Sequence, residues 1–276
     1  NQSTIALQKE ESMERKFFRE TQRNDNYNSI EKVKIGIFGI GESVGTTFVA
    51  TSLAYYFCEK GKSVAFVEIG NPRKRLSLLF DSVAMEKRFV NREFVDFYKL
   101  AEEKSTIRGR KNIEEGINWA LITPDNCKKE IEPSIEQKER IINNISGEIV
   151  ICDFDCREDW DNLPEDMDIL IGVIEPLPSK MIGGAKLFKD IKRRQSQGAK
   201  VIWIVNKENK GVEKKEVNNY LKEKEPIHIP IFDEEAFYEN EYNCKFHFTN
   251  KKIWEEMREY MDKIQEKMAN ITKVSH

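Results

Sequence analysis

No run of apolar residues in the 276-residue sequence approaches the ~18 needed to cross a bilayer as a helix, which removes a membrane-spanning helix from the reading. The opening "NQSTIALQKEES" also lacks the apolar stretch of a secretory signal, so a cytoplasmic protein is expected. Because the chain begins with Asn1 rather than Met, it reads as a piece of a longer protein with a domain upstream. Cysteine is sparse and odd in number. Cys58, Cys127, Cys152, Cys156 and Cys244 are scattered, which suits reduced thiols better than a disulfide framework. Cys152 and Cys156 have no second pair nearby to complete a metal site, and structural thiols are expected. Histidine occurs only as His228, His247 and His276, too dispersed for a metal or catalytic cluster, and no nucleophile stands near a base in the sequence. Nor is there an excess of one charge: 45 Lys+Arg against 48 Asp+Glu leaves a net −3, which does not suggest a chain that coats nucleic acid.

What is present is alternation. Residues 1–32 are polar, with Met13, Phe17 and Phe18 at helical spacing before the turn-rich "RNDNYNS", and read as a helical arm or linker. From Val33 onward, the β-rich runs "KIGIFG", "SVAFVEIG", "INWALIT", "EIVICDFD", "DILIGVIE", "KVIWIVNK" and "PIHIPIF" alternate with amphipathic or charged stretches. The runs are nearly all apolar, as strands covered on both faces should be. The pattern predicts one α/β domain over residues 33–276: a doubly wound, mainly parallel sheet with helices on both faces. Two segments stand apart. Residues 73–111 carry eleven Lys/Arg against six Asp/Glu, with "RKR" near one end and "RGRK" at the other, and read as a basic, solvated helical insertion. Residues 251–271 place Ile253, Met257, Tyr260, Met261, Ile264, Met268 and Ile271 on one helical face.

The first strand runs into "GIGESVGTTF", a glycine-rich turn followed by hydroxyls at the start of a helix. In a P-loop the turn's backbone N–H groups cradle phosphates, a lysine cancels their charge and a Ser/Thr hydroxyl holds Mg²⁺. Here the turn and the hydroxyls are present and the lysine is absent. A dinucleotide fingerprint offers a second reading, since Gly39-x-Gly41-x-x-x-Gly45 follows a strand and Glu68 ends the next one, where a carboxylate would meet ribose hydroxyls. A third is an interaction module whose loop stays empty, because a Glu42 carboxylate inside the cradle would repel phosphate.

From Val33 to about Lys245 the chain resembles the MinD/ParA family of deviant Walker A ATPases, whose loop reads roughly KGGVGKTT. The resemblance places nucleotide on Gly41, Glu42, Ser43, Val44, Gly45, Thr46, Thr47 and Phe48, with Thr47 at the Mg²⁺ hydroxyl. Thr46 replaces the P-loop lysine, and Gly41 stands where the family has its second, signature lysine. "EIVICDFD" is similar to the Walker B strand, with Asp153 at the Mg²⁺ position, and "VIWIVNK" puts Asn206 where an asparagine contacts adenine. In "VEIG", Gly70 replaces an aspartate associated with positioning the attacking water. The resemblance thus implies ATP and Mg²⁺ bound weakly, no catalytic residue, and a pseudo-ATPase. Weak hydrolysis would require a displaced lysine such as Lys186 or Lys207.

Such a protein is expected to localise or scaffold a larger assembly of partition, pilus or secretion type, and within the family it also resembles pilus-assembly localisers of the TadZ/CpaE type. Its partners would be proteins of that assembly. Any homodimer would form without nucleotide, because a signature lysine that crosses to the partner's nucleotide is missing at Gly41. In MinD-type proteins a terminal amphipathic helix can bind membrane. Here residues 251–267 carry five basic and five acidic side chains, so attraction to anionic lipid cancels and docking on the sheet is expected instead.

Overall fold

The computed structural model describes residues 32–69, 78–84, 93–129, 132–154 and 163–273. The arm expected over residues 1–32 lies outside these except for Lys32, as do Gly70, Cys156, His276 and parts of the basic insertion.

All seven β-rich runs are strands: β1 (Val33–Gly39), β2 (Val64–Glu68), β4 (Ile117–Ala120), β5 (Ile149–Phe154), β6 (Ile169–Ile174), β7 (Val201–Glu208) and β8 (Ile227–Pro230). An eighth, β3 (Ile113–Glu114), pairs antiparallel with β4 across a tight turn. Two residues are too few for a periodicity to show. The order is β3-β4-β2-β5-β1-β6-β7-β8, and every pairing except β3 with β4 is parallel. The helices are α1 (Thr46–Glu59), α2 (Leu78–Ala84), α3 (Phe97–Glu102), α4 (Pro124–Lys129), α5 (Ile135–Asn144), α6 (Pro178–Gly183), α7 (Ala185–Ser196), α8 (Lys214–Leu221), α9 (Glu234–Tyr242) and α10 (Lys251–Lys273).

Successive strand residues point to opposite faces, so the apolar strands feed two cores. On one face Ile35, Ile37, Phe66 and Ile151 pack with Val49 and Leu53 of α1 and Met257 and Met261 of α10. On the other, Phe38, Val67, Cys152 and Phe154 pack with Phe97 of α3, Ile141 of α5 and Leu187 of α7. Trp119 and Trp203 are buried strand residues. The second half of the basic stretch departs from the reading of a solvated insertion: Phe97, Tyr98, Ala101 and Ile107 are buried in the second core. Charge there is confined to the outer face, so its composition conceals an amphipathic helix.

Helix α10 docks as expected. Ile253, Trp254, Met257, Met261, Ile264 and Met268 are buried on one stripe against α1 and β8. Each such side chain contributes roughly 1.5–3 kcal/mol by leaving water. Polar contacts set the register between the helices: Arg258 Nη2 donates to both carboxylate oxygens of Glu59, at 2.9 and 2.8 Å, and Tyr56 hydroxyl lies 2.5 Å from Asp262 Oδ1.

Strand β1 sits between β5 and β6, so the chain leaving it enters the crevice at the carboxyl edge of the sheet where the connections diverge. Open α/β sheets place their ligands at that position.

Candidate nucleotide site

The loop begins where β1 ends at Gly39, and α1 starts at Thr46. Gly45 caps the helix with φ 89°, and a Cβ added there would collide with the Asn206 amide. Among the described residues, the N–H groups of residues 41–45 donate to no other protein group. A row of free amides before a helix N-terminus is an anion cradle. Ser43 has φ 56°, in the left-handed region that glycine prefers, so the turn keeps its shape without a glycine at that position.

Beneath the cradle, Thr47 Oγ1 donates to Asp153 Oδ2 at 2.7 Å. Residues 106 apart in the chain meet because β5 runs parallel beside β1 with Asp153 opposite Ile37. A hydroxyl and a carboxylate in contact are hard oxygen donors that fit Mg²⁺, which is held by one or two protein oxygens together with phosphates and waters rather than by a protein cage. In keeping with that, no group of three or more His, Cys, Asp or Glu among the described residues forms a metal cluster.

On the outer side of the loop the side chains differ from a P-loop. Thr46 Oγ1 lies against Gly39, where a Cβ on that residue would be, so this side chain faces the strand. Gly41 has φ 116°, and an added Cβ would stand 2.9 Å from the Lys180 carbonyl oxygen of α6. A lysine at residue 41 is therefore excluded by backbone conformation and by the chain packed above it. Two other lysines reach the loop. Lys180 Nζ donates to Glu42 O at 2.7 Å, and Lys207 Nζ donates to Ser43 O at 2.7 Å and to Glu175 Oε2 at 2.9 Å. Lys207 was legible as a candidate from "VNK"; Glu175, just before α6, and Lys180, within it, carry no sequence signal that marks the loop as their neighbour. Lys186 lies on α7 and is exposed.

Asn206, where the resemblance implies an adenine contact, also touches the loop itself. It is buried, and its Nδ2 donates to Val44 O at 2.9 Å, making it a strut beneath the loop. Phe48 is half-buried in an aromatic group with Phe232, Phe237 and His247, at ring separations of 5.7, 5.1 and 5.6 Å. Burial there pushes the His247 imidazole down to about 4, so it is neutral at physiological pH.

The dinucleotide reading fails on topology. In that fold the acidic residue ends a strand adjacent to the first, whereas here β5 lies between β1 and β2 and places Asp153 opposite Glu68. Glu68 is buried, and its Oε2 accepts the Ile122 N–H at 2.9 Å, tying β2 to the end of β4.

A mostly parallel sheet whose central strand feeds an amide cradle, with a hydroxyl and a strand-end carboxylate beneath it, is a P-loop NTPase-like α/β fold. More narrowly, it is the fold of the ParA/MinD ATPases. The chain is similar to a ParA family ATPase from Chlorobium tepidum TLS, with a TM-score of 0.65 and 16% identity over 84% of this chain and 98% of that one. A plasmid partition protein from Borrelia burgdorferi B31 bound to AMPPNP matches with a TM-score of 0.64 and 17% identity, over 86% of this chain and 100% of that one. The septum site-determining protein MinD of Pyrococcus horikoshii OT3, complexed with Mg-ADP, matches with 0.62 and 12%, over 85% and 96%. At these identities the likeness is one of fold. No family model matches the sequence, and no curated protein matches it.

Proposed function

We propose that the protein is a catalytically impaired relative of the ParA/MinD ATPases that binds Mg-ATP weakly and serves as a localisation or scaffold factor for a larger cytoplasmic assembly of partition, pilus or secretion type. The observation that carries this reading is the 2.7 Å contact of Thr47 with Asp153 beneath a cradle whose lysine position holds Thr46, turned toward Gly39. The groups that bind phosphate through the backbone and Mg²⁺ through oxygen are kept. The cation that a loop lysine would place at the developing charge is not. Phosphoryl transfer depends mainly on positioning and on such cations, and losing one electrostatic donor typically slows an enzyme by about 10²–10³.

Relatives in fold that are partition or septum-positioning proteins support a positioning role, and the site supports a nucleotide-bound form of it. The test is calorimetry with Mg-AMPPNP alongside a phosphate-release assay. Weak binding abolished by Thr47→Ala, with release no faster than in that variant, is the expected outcome. Robust Mg²⁺-dependent release lost in Asp153→Asn would overturn the impaired reading. Glu42 favours a second reading, an interaction module with an empty loop, because its exposed residue stands in the cradle where a carboxylate opposes phosphate. Absence of any binding heat would favour that module.

A further inference from the structure

Asn206 and Lys207 are consecutive residues at the end of β7, and both reach the loop: one donates to Val44 O, the other to Ser43 O. In a regular strand consecutive side chains point to opposite faces, so this pair cannot share a target. It does so because the β7–β8 register shifts between Val205 and Glu208 and Lys207 takes φ 57°. Such an irregularity re-aims a side chain, and non-glycine residues hold a positive φ only where surrounding contacts enforce it. From the other side, α6 delivers Lys180 to the neighbouring carbonyl of Glu42. Two ammonium groups thus hold the carbonyls of consecutive residues, 42 and 43, in a loop that has no lysine of its own.

Neither ammonium is saturated. Each Nζ carries three donors. Lys180 uses one of them on Glu42 O, and Lys207 uses two, on Ser43 O and Glu175 Oε2. The Lys207 side chain is 40% exposed, and the Glu175 side chain it pairs with is 12% exposed.

We propose that Lys180 and Lys207 together supply, from outside the loop, the positive charge that a loop lysine would give to the outer phosphates of a bound nucleotide. The proposal rests on the nucleotide reading above and deepens it. It assigns the charge compensation to α6 and to the β7 irregularity rather than to α1. When nucleotide binds, the free donors of the two long side chains take phosphate oxygens beside the loop whose carbonyls they touch in its absence.

The decisive measurement is calorimetric binding of AMP, ADP and AMPPNP with Mg²⁺ to the full chain, comparing wild type with Lys180→Ala, Lys207→Ala, the double variant, and Lys215→Ala on the exposed face of α8 as control. Each single change should weaken AMPPNP about tenfold and the double about a hundredfold, with AMP nearly unaffected and the control unchanged. Lys207→Arg should retain most of the affinity. If the single variants bind AMPPNP as wild type does, the assignment of the lysines is wrong while the nucleotide reading stands. Equal losses for AMP and AMPPNP, accompanied by a lower unfolding midpoint, would mean that the lysines only brace the loop, and would also overturn the proposal. Failure of wild type to bind any of the three nucleotides overturns the nucleotide reading and this inference with it.

Discussion

On the strand side of the loop, Thr47 and Asp153 stand in contact at 2.7 Å and the amides of residues 41–45 are free, whereas on its crest Thr46 is turned to the strand and Gly41 is roofed by the Lys180 carbonyl. The two sides differ in what holds them. The cradle follows from backbone conformation, and β5 lying beside β1 brings the Thr47 hydroxyl to the Asp153 carboxylate. The crest depends on individual side chains, which can be exchanged without disturbing the sheet. The cations that touch this loop come from α6 and β7, as Lys180 and Lys207.

The sharpest way to break this comparison is to disturb the backbone side. Gly45→Ala forces a Cβ into the Asn206 amide at φ 89°, and should cost about 3 kcal/mol in urea unfolding while abolishing AMPPNP binding. An unchanged midpoint would show that the cradle is not held by Asn206.

Next in size is the aromatic group beside Phe48. His247 is half-buried, its Nδ1 makes no hydrogen bond among the described residues, and its folded pKa is depressed from 6.5 to about 4. The unfolded chain then binds the extra proton between these values, so stability is full above pH 6.5 and falls as pH drops toward 4. Between pH 7 and 5 the loss should reach about 2 kcal/mol at most, read as a falling thermal midpoint. His247→Phe should flatten that slope.

Thr46→Lys tests the crest directly. It should tighten AMPPNP by about tenfold, the value of one charge-assisted contact, without producing fast phosphate release. The smallest expected effect concerns assembly. With Gly41 roofed, mass by light scattering should be the same with and without Mg-ATP, and a monomer that dimerises only with ATP would show that the crest is rebuilt on binding.

Much of the fold was legible because its signals are local. Seven apolar runs announced seven strands, the turn at residues 39–47 announced the loop, and the stripe from Ile253 to Met268 announced a docked helix. Strand β3 was not, since two residues carry no period, and neither was α3, whose buried Phe97 and Tyr98 lie within a basic stretch. At the site, the resemblance pairs Thr47 with Asp153, and the two stand in contact. Lys180 could not be placed in advance, as its acceptor Glu42 is 138 residues away.

By itself, then, the sequence determined the α/β alternation, the phosphate-type turn and the absence of a lysine from it, because propensity, turn chemistry and hydrophobic period act over a few residues. The tertiary structure alone decided the strand order that ended the dinucleotide reading, the contact of Asn206 with Val44, and the arrival of Lys180 and Lys207 at the loop carbonyls. Those depend on which strands become neighbours and where one ladder slips, and both are settled by packing across the sheet rather than along the chain.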